Sequence, residues 1–109
     1  MTPGGATAEG PLSYSAALVL QAIVQGHRYG FDIMRAAHLK SGTVYPLLRR
    51  LEASGLVASE WEEGSEAHDE GRPPRRYYAA TAAGRAALAE ARERVLAQQA
   101  LFGARPARR

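Results

Sequence analysis

Apolar residues recur at helical spacing in the middle of the chain and predict its central element. The residues Val44, Leu47, Leu48 and Leu51 follow the i, i+3, i+4, i+7 pattern of one buried helix face. Small, polar and basic side chains fall on the opposite face, and Gly55 suits the end of a helix. The pattern therefore predicts an amphipathic helix within Ser41–Leu56.

A proline interrupts this prediction, because Pro46 has no backbone N–H to donate inside a helix. Proline costs little only in the first helical turn. Either Thr43 is the N-cap, which places Pro46 in that turn, or Ser41 caps a first turn that is irregular. Both versions present the segment Ser41–Tyr45 on the outside.

Two shorter helices are predicted before the central one. The first is capped by Ser13 and runs to about Gln25, with Gly26 just beyond its end. Its buried face is predicted to contain Tyr14, Ala17, Leu20 and Val24. The second follows His27–Gly30 and runs to about Ala37, with Ile33, Met34 and Ala37 inward. Three helices with a brief turn before the third form a helix-turn-helix arrangement.

Two segments with strand character follow the central helix. Residues Leu56–Glu62 and Arg75–Ala79 are predicted as strands, joined by a polar loop that contains glycines and prolines. A two-stranded hairpin directly after a third helix forms a wing. The predicted fold is mainly α with a small β-wing, a winged helix-turn-helix over residues 13–80.

The chain from Thr81 to about Phe102 is rich in strong helix formers. Leu88, Ala91, Val95 and Phe102 lie near heptad spacing, which gives two heptads of a seam. This seam packs on its own winged helix, on a partner subunit, or on both. We predict a C-terminal dimerisation helix over residues 81–103, a disordered N-terminal arm over 1–12, and a basic tail over 104–109.

Composition narrows the class of protein. The 109 residues suit one small domain, and the absence of cysteine excludes disulfides and thiolate metal sites. No apolar run approaches the roughly 20 residues that span a bilayer, and the first residues do not resemble a secretory signal. The expectation is a cytoplasmic protein that is not attached to a membrane.

The distribution of charge is more informative than the net value of +3. Residues 26–56 hold five basic and two acidic side chains, whereas residues 57–70 hold six acidic side chains and no Lys or Arg. Residues 71–80 and 81–109 are again net basic. Basic surface on both sides of an acidic loop is compatible with a polyanionic partner but does not establish one.

The outer face of the central helix carries the chemistry that a major-groove contact requires. Arg49 faces outward and could contact a base, whereas Arg50 is better placed for a phosphate or for an ion pair with a glutamate. The remaining candidates at the front of the helix are Ser41, Gly42, Thr43 and Tyr45. Ser41 is a cap, a phosphate contact or both, and Tyr45 contacts DNA or packs against the second helix.

The second group of candidates lies around the wing. Arg72, Arg75 and Arg76 lie at its returning base, and strand alternation could direct one of them toward the acidic loop as an intramolecular pair. Tyr29 is either a phosphate donor or a half-buried aromatic residue. Adjacent Tyr77 and Tyr78 must face opposite sides, so one is expected in the core.

The sequence gives little support for a catalytic site or a metal site. No Ser-His-Asp arrangement, phosphate-binding glycine loop or carboxylate pair is present, since Glu62 and Glu63 diverge on a strand. His27, His38 and His68 lack metal-ligand spacing, although a site assembled with loop carboxylates or across a dimer is an alternative. We expect a protein that is not an enzyme and that binds no cofactor and no metal.

Three runs together resemble the PadR family of bacterial transcriptional regulators. They are ALVLQAIVQGHRYGFDIM, SGTVYPLLRRLEASGLVASEWEEG and GRPPRRYYAATAAGRAAL, and the resemblance covers about Ala17 to Leu88. Its most specific parts are Tyr29-Gly30, the run from Gly42 to Glu52, and Arg75 to Tyr78. The single C-terminal helix is similar to the short branch of the family. One departure is the acidic loop Glu62–Glu70, because family wings that bind phosphate usually carry more Lys or Arg.

The resemblance implies a homodimeric repressor that binds double-stranded operator DNA. Its third helix would enter the major groove, its wing would reach the flanking backbone, and its C-terminal helix would build the dimer. Family members sense small molecules, often phenolic acids, drugs or antibiotics, and some respond to metals. An effector pocket is therefore expected between the C-terminal and first helices, with no residue assigned. Trp61 either lines an aromatic site or packs in the core or the wing.

Two other classes of function compete with a repressor. One is a winged-helix module that docks a protein on its acidic wing, and the other is a small-molecule sensor without DNA binding. A DNA-binding protein should lose affinity steeply with salt and should protect half-sites about one helical turn apart. A protein-docking module should do neither.

Overall fold

The protein, as a computed structural model, is described over residues 10–104 apart from the side chains of Ser65 and Glu66. Three helices come first: α1 spans Tyr14–Val24, α2 spans Gly30–Ala37 and α3 spans Ser41–Ala53. The Ser13 hydroxyl caps α1 by accepting from the N–H of Ala16 at 3.1 Å. The predicted order and approximate bounds of the three helices are confirmed.

The turn between α2 and α3 depends on one residue with a positive φ. His38 follows α2 in the left-handed conformation, with φ at 57°, and its N–H donates to the Met34 carbonyl. The chain then re-enters a helix after only His38, Leu39 and Lys40. This brief reversal fixes α3 across α2, which is the arrangement expected of a helix-turn-helix.

The start of α3 corrects both interpretations of Pro46. Lys40 is the N-cap, with no side-chain capping bond, and Pro46 lies inside the helix at its sixth position. Neither Thr43 nor Ser41 acts as the cap. Because Pro46 cannot donate, the Gly42 carbonyl lacks its usual partner four residues on, and the helix tolerates this at its exposed front end.

The wing is a two-stranded antiparallel sheet of β1, Val57–Trp61, and β2, Arg76–Ala80. The register pairs Ser59 with Tyr78 and Trp61 with Arg76. A short helix, α4, spans Gly64–Asp69 between the strands. A polar loop was predicted between the strands, and this prediction was wrong at Gly64–Asp69, where six residues form a helix.

The last helix, α5, spans Ala82–Gly103. Thr81 caps it by accepting from the N–H of Gly84 at 3.0 Å, and the same hydroxyl donates to the Gly55 carbonyl at 2.6 Å. Gly84 is buried directly against the Leu56 backbone, where a Cβ would overlap the Leu56 carbonyl oxygen. A glycine is therefore required for α5 to pass this close to the wing.

One hydrophobic core joins α1, α2, α3, the wing and α5. Its most deeply buried large side chains are Val19, Leu20, Ile33, Val44, Leu48 and Leu56. The predicted inward stripe of α3 is confirmed at all four of its positions. The prediction that Tyr14 is buried was wrong, because its side chain is largely exposed on α1.

The N-terminal boundary was also predicted too late. Leu12 packs against the core, and its carbonyl accepts a hydrogen bond from Arg94 at 2.8 Å, so the residues just before α1 are held in place. Residues 1–9 of the predicted arm and residues 105–109 of the predicted tail lie outside the described residues.

The residues of the predicted seam lie in two different environments along α5. Leu88 and Ala91 are buried in the core of their own chain, Val95 is half-buried, and Phe102 is 91% exposed. The seam thus begins as an intramolecular contact and continues beyond the body of the domain. Among the described residues no helix is long and apolar enough to cross a membrane.

Candidate nucleic-acid interface

The outward face of α3 presents its front end and two arginines to solvent. The exposed candidates on this helix are Ser41, Gly42, Thr43, Arg49 and Arg50. No atom lies within 4 Å of the place where a Gly42 Cβ would be, so the front of the helix is open to a close partner. A bare helix end of this kind can approach a groove without steric hindrance.

Arg49 and Arg50 are the cations of this face. Neither forms an ion pair with any carboxylate whose side chain the structure describes, so the alternative of an Arg50–Glu pair is not found among those residues. Arg50 lies beside a cleft of about 250 Å³ between α3 and the segment before α1. The guanidinium groups of both residues are therefore available to an external anion.

Tyr45 adopts the second of its two predicted roles, because its ring packs directly over Gly30 at the start of α2. A side chain at position 30 would overlap this ring, which explains the glycine there. Tyr45 nevertheless remains 40% exposed and so keeps one side toward solvent. The contact fixes the front of α3 against the front of α2.

Arg72 pairs with carboxylates of its own chain. This is the alternative that the sequence left open for one of the three wing arginines. It donates two hydrogen bonds to the Glu62 carboxylate, at 2.6 and 2.8 Å, and a third to Glu70 at 2.8 Å. Arg72 is therefore not placed to contact DNA. The side chain of Glu62 is only 3% exposed, and it also accepts from the backbone N–H of Arg75 at 3.1 Å.

This bidentate pair perturbs both of its members in the expected direction. The Arg72 hydrogen bonds lower the pKa of Glu62 from 4.5 to about 2, although burial acts in the opposite sense. The Glu62 carboxylate in turn raises the pKa of Arg72. The pair closes the chain between the strands into a fixed loop at the base of α4.

Arg76 connects the wing to α3. Its Nε donates to the Ser59 hydroxyl at 2.8 Å, and its guanidinium lies 3.5 Å from the Glu52 carboxylate on α3. The Ser59 hydroxyl itself donates to Glu52 at 2.7 Å. The guanidinium also lies over the Trp61 ring, 5.3 Å from its centre. Arg76 therefore sets the orientation of the wing and keeps part of its charge exposed.

A ladder of rings and cations joins the wing to the segment before α2. Tyr29 pairs with Tyr77 as an isolated bridge, and their rings meet edge to face at 5.9 Å. The Arg75 guanidinium lies 4.0 Å from the Tyr29 centroid, and that of Arg28 lies 5.4 Å from Tyr77. The half-buried alternative for Tyr29 is thus confirmed.

Arg28 is a candidate that sequence reasoning missed. It is exposed, and no carboxylate of the described residues pairs with it. Its carbonyl accepts from the N–H of Tyr78 at 2.7 Å, which adds the segment before α2 to the edge of the wing. In the sequence, the only sign of this pairing is that Arg28-Tyr29 repeats the Arg-Tyr pair found within Arg75–Tyr78.

The two tyrosines of β2 alternate as predicted, since Tyr78 is in the core and Tyr77 faces the ladder. Burial raises the pKa of the Tyr78 phenol. The histidines do not converge: within the described residues no three metal-ligating side chains lie close enough to hold an ion, and His27 pairs with Asp32 at 3.1 Å.

Trp61 was left open between lining an aromatic site and packing in the core or the wing, and the structure places it outside the core. Its side chain is 61% exposed at the end of β1. It faces a groove between the wing and the fronts of α2 and α3. The surface between α3 and the base of the wing is thus aromatic and rich in arginine, with Glu52 paired to Arg76 within it, and this suits a partner that carries phosphate.

The chain is similar in sequence and in fold to known proteins. Residues 19–90 match the sequence model of the transcriptional regulator PadR-like family. The transcriptional regulator Rv3488 of Mycobacterium tuberculosis is 50% identical over 64 residues, which are 57% of this chain and 54% of that protein. The chain therefore spans about half the length of this curated relative.

Two solved structures illustrate the likeness of fold. A PadR family transcription regulator of Clostridium difficile superposes with a TM-score of 0.72 at 22% identity, over 84% of this chain and 96% of that chain. Bordetella bronchiseptica BpsR, whose DNA binding is regulated by 6-hydroxynicotinic acid, superposes with a TM-score of 0.65 at 21% identity, over 87% and 69%. At these identities the likeness shows the fold alone.

Proposed function

The chain belongs to the PadR-like family of transcriptional regulators, and from this premise we propose that it is a dimeric repressor of a pseudo-palindromic operator. In this proposal α3 enters the major groove and the base of the wing contacts the flanking phosphates. A repressor acts on the chromosome, so a cytoplasmic location is part of the proposal.

The observation that carries the proposal is the exposed front and outer face of α3. Arg49 and Arg50 have no carboxylate partner among the described residues, and Gly42 leaves the helix end free of bulk. Arginine forks match the O6 and N7 acceptors of guanine, and they match phosphate oxygens equally well. Arg49 is assigned to a base, and Arg50 to the backbone.

The wing contributes through its base. Arg75 and Arg28 lie over the Tyr29 and Tyr77 rings, and neither pairs with a carboxylate among the side chains that the structure describes. At the other end of the wing, Asp69 and Glu70 of the acidic segment are exposed and would repel phosphate. Tyr29 positions Arg75 in this proposal and does not act as a donor of its own.

The dimer is proposed to form along the free part of α5. Leu96, Leu101 and Phe102 are large apolar side chains that solvent contacts freely in the single chain. A shallow cleft of about 150 Å³ between α1 and α5, lined by Tyr14 and Leu18 among others, continues this apolar surface. A partner copy on it would bring two α3 helices to successive turns of the major groove.

Control by a small-molecule effector belongs to the same proposal. Family membership supports it, as does the regulation of BpsR, a protein of the same fold. The effector would change the affinity for the operator by binding the DNA-competent and incompetent states unequally.

The test is binding to the DNA upstream of the protein's own gene, against a scrambled duplex, across a salt series. We expect specific binding that weakens steeply with salt. Arg49→Ala should cost about 1–3 kcal/mol on the specific duplex and leave scrambled DNA nearly unchanged. Arg85→Ala, which removes an exposed arginine of α5, is the matched control and should retain specificity.

Two results would contradict the proposal. If random-sequence selection yields no preferred site at any salt concentration, the chain is not an operator-binding repressor. If specific binding is found but Arg49→Ala does not alter it, α3 is not the reading element. The first outcome would favour the protein-docking alternative, for which the acidic segment around α4 is the available surface.

A further inference from the structure

Glu52 is the only acidic residue of α3, and both of its carboxylate oxygens contact residues of the wing. Its Oε2 accepts a hydrogen bond from the Ser59 hydroxyl on β1 at 2.7 Å, and its Oε1 lies 3.5 Å from a guanidinium nitrogen of Arg76 on β2. The Nε of Arg76 donates to the same Ser59 hydroxyl at 2.8 Å. Glu52, Ser59 and Arg76 therefore form a closed set of polar contacts, which we call the Glu52 cluster.

Glu52 also has a possible partner on its own helix. Arg49 lies three positions before it on α3. Side chains three or four positions apart are neighbours on a helix surface, with Cβ atoms about 5–6 Å apart, and opposite charges at this spacing attract each other. Arg50 lies only two positions away and does not face the same side. In an isolated α3, Glu52 would therefore be expected to pair with Arg49.

In the folded protein Glu52 is paired with the wing instead. Arg49 forms no ion pair with any carboxylate whose side chain the structure describes. The Ser59 hydroxyl accepts from a cation while it donates to Glu52, and such a chain of hydrogen bonds strengthens each of its members. The cluster therefore makes the wing a better partner for Glu52 than its helical neighbour.

This choice of partner affects the chemistry that Arg49 can perform. An arginine contacts the O6 and N7 acceptors of guanine through the same N–H groups that a carboxylate would occupy. An Arg49–Glu52 pair would therefore have to separate before Arg49 could contact a base. Such a pair would also place a negative charge where the DNA approaches.

We propose that Glu52 is a positioning residue for DNA recognition, which the wing holds through Ser59 so that Arg49 is left for the operator. The inference rests on the proposed operator binding. Ser59 provides the shorter of the two contacts to Glu52, so its hydroxyl decides how Glu52 is shared between the wing and Arg49. Sequence specificity then depends on a serine whose hydroxyl is bonded within the chain on both sides.

The first experiment needs no DNA and follows the arginine Nε–H resonances by NMR. The resonance of Arg49 is assigned by its loss in Arg49→Lys. Ser59→Ala should shift this resonance, because Glu52 then turns toward Arg49. Combining Ser59→Ala with Glu52→Gln should return it toward its wild-type position, and Ser59→Thr, which retains a hydroxyl, should leave it in place.

The second experiment measures affinity for the operator and for scrambled DNA. Ser59→Ala should weaken operator binding about two- to fivefold, which is the strength of an exposed ion pair. It should leave scrambled DNA nearly unchanged, because no charge is removed. Adding Glu52→Gln should restore the ratio of the two affinities. Adding Glu60→Gln is the matched control, because it removes the same charge from an exposed residue of β1, and it should not restore the ratio.

Glu52→Gln alone gives a test that does not require the Ser59→Ala protein to fold. It should retain the preference for the operator, because a neutral amide does not hold Arg49. Loss of this preference would mean that the carboxylate acts by orienting the wing and not by sparing Arg49, which would overturn the proposal. An unshifted Arg49 resonance in folded Ser59→Ala would also overturn it, since Glu52 would then have stayed with Arg76.

The two experiments separate this inference from the repressor function. Specific operator binding that Ser59→Ala does not weaken would refute the role of Glu52 and leave the repressor intact. Restoration by Glu60→Gln as complete as by Glu52→Gln would reduce the effect to overall charge and refute the role as well. The expected Arg49 shifts in a protein without a preferred DNA site would support the pairing of Glu52 with the wing and refute the repressor.

Discussion

Gly84→Ala tests the way in which α5 is joined to the wing. Gly84 is buried on α5, and an added Cβ would overlap the carbonyl oxygen of Leu56, which is backbone and cannot rotate away. This carbonyl also accepts the N–H of Thr81 at 3.0 Å, so it is held at the junction between β1 and the cap of α5.

The expected magnitude follows from three contributions. Forcing an extra methyl into a packed site costs about 1–3 kcal/mol. Displacing the carbonyl weakens its hydrogen bond to Thr81, which costs about 1 kcal/mol. Alanine is the better helix former by about 1 kcal/mol, which offsets the lost hydrogen bond. We therefore expect Gly84→Ala to lower the free energy of unfolding by about 1–3 kcal/mol.

The assay is thermal and chemical unfolding followed by circular dichroism. A loss of 1 kcal/mol should lower the Tm by about 4 °C in a domain of this size. Gly103→Ala is the matched control, because a Cβ at the last residue of the same helix would meet nothing within 4 Å. It should be neutral or stabilising by up to about 1 kcal/mol. A Gly84→Ala protein as stable as the wild type would refute the close approach of α5 to Leu56.

Three further predictions concern the wing, the start of α2 and the cap of α5. Glu62→Gln should destabilise the protein at neutral pH, because Arg72 loses its charged partner. The pKa of Glu62 is lowered in the folded state, so the wild type holds this stabilisation above pH 4.5 and loses it toward pH 2; thermal midpoints of the two proteins should converge on acidification, and a constant gap would contradict the assignment. Gly30→Ala should displace the Tyr45 ring, because an added Cβ would overlap it, while changing the free energy of unfolding by no more than about 1 kcal/mol; unchanged Tyr45 ring resonances in the NMR spectrum would show that the ring does not lie on Gly30. Thr81→Ala removes the cap of α5 and should cost about 0.5–2 kcal/mol in urea unfolding, whereas Thr81→Ser should retain most of it, and equal losses in the two variants would exclude the cap.

The elements that depend on local pattern were predictable from the sequence. The four-residue apolar stripe of α3, the cap of α1 at Ser13 and the two strands of the wing all appear where periodicity and capping chemistry placed them. Each of these signals acts between residues a few positions apart or alternates along one strand. Local physics is sufficient for them.

The misjudged features depend on contacts between distant residues. The sequence allowed one wing arginine to pair within the chain but could not show which one, and Glu62, ten residues earlier, binds Arg72. Tyr14 fits the apolar period of α1, but it lies at the rim of the cleft between α1 and α5, where its side chain is largely exposed. Arg28 joined the wing through a backbone pairing with Tyr78, which no spacing within the segment could reveal.

The heptad seam of α5 shows a second limit of prediction from the sequence. A heptad spacing says that Leu88 and Phe102 share one side of a helix, but it does not say which surface covers them. In this chain Leu88 is buried by its own α1 and wing, whereas Phe102 is left outside. The same one-dimensional pattern therefore serves two environments, and only packing separates them.

The hydrogen bond from Arg94 to the carbonyl of Leu12 joins residues 82 positions apart, and α1 packs along α5 in the same region. A growing polypeptide cannot complete this contact until the last helix has left the ribosome. At roughly 5–20 residues per second, the start of α1 waits about 4–16 s for its partner. During that interval the α1 side chains later covered by Leu88 and Ala91 remain uncovered. For the first seconds after their synthesis, the early helices therefore lack the face of α5 that covers them in the folded protein.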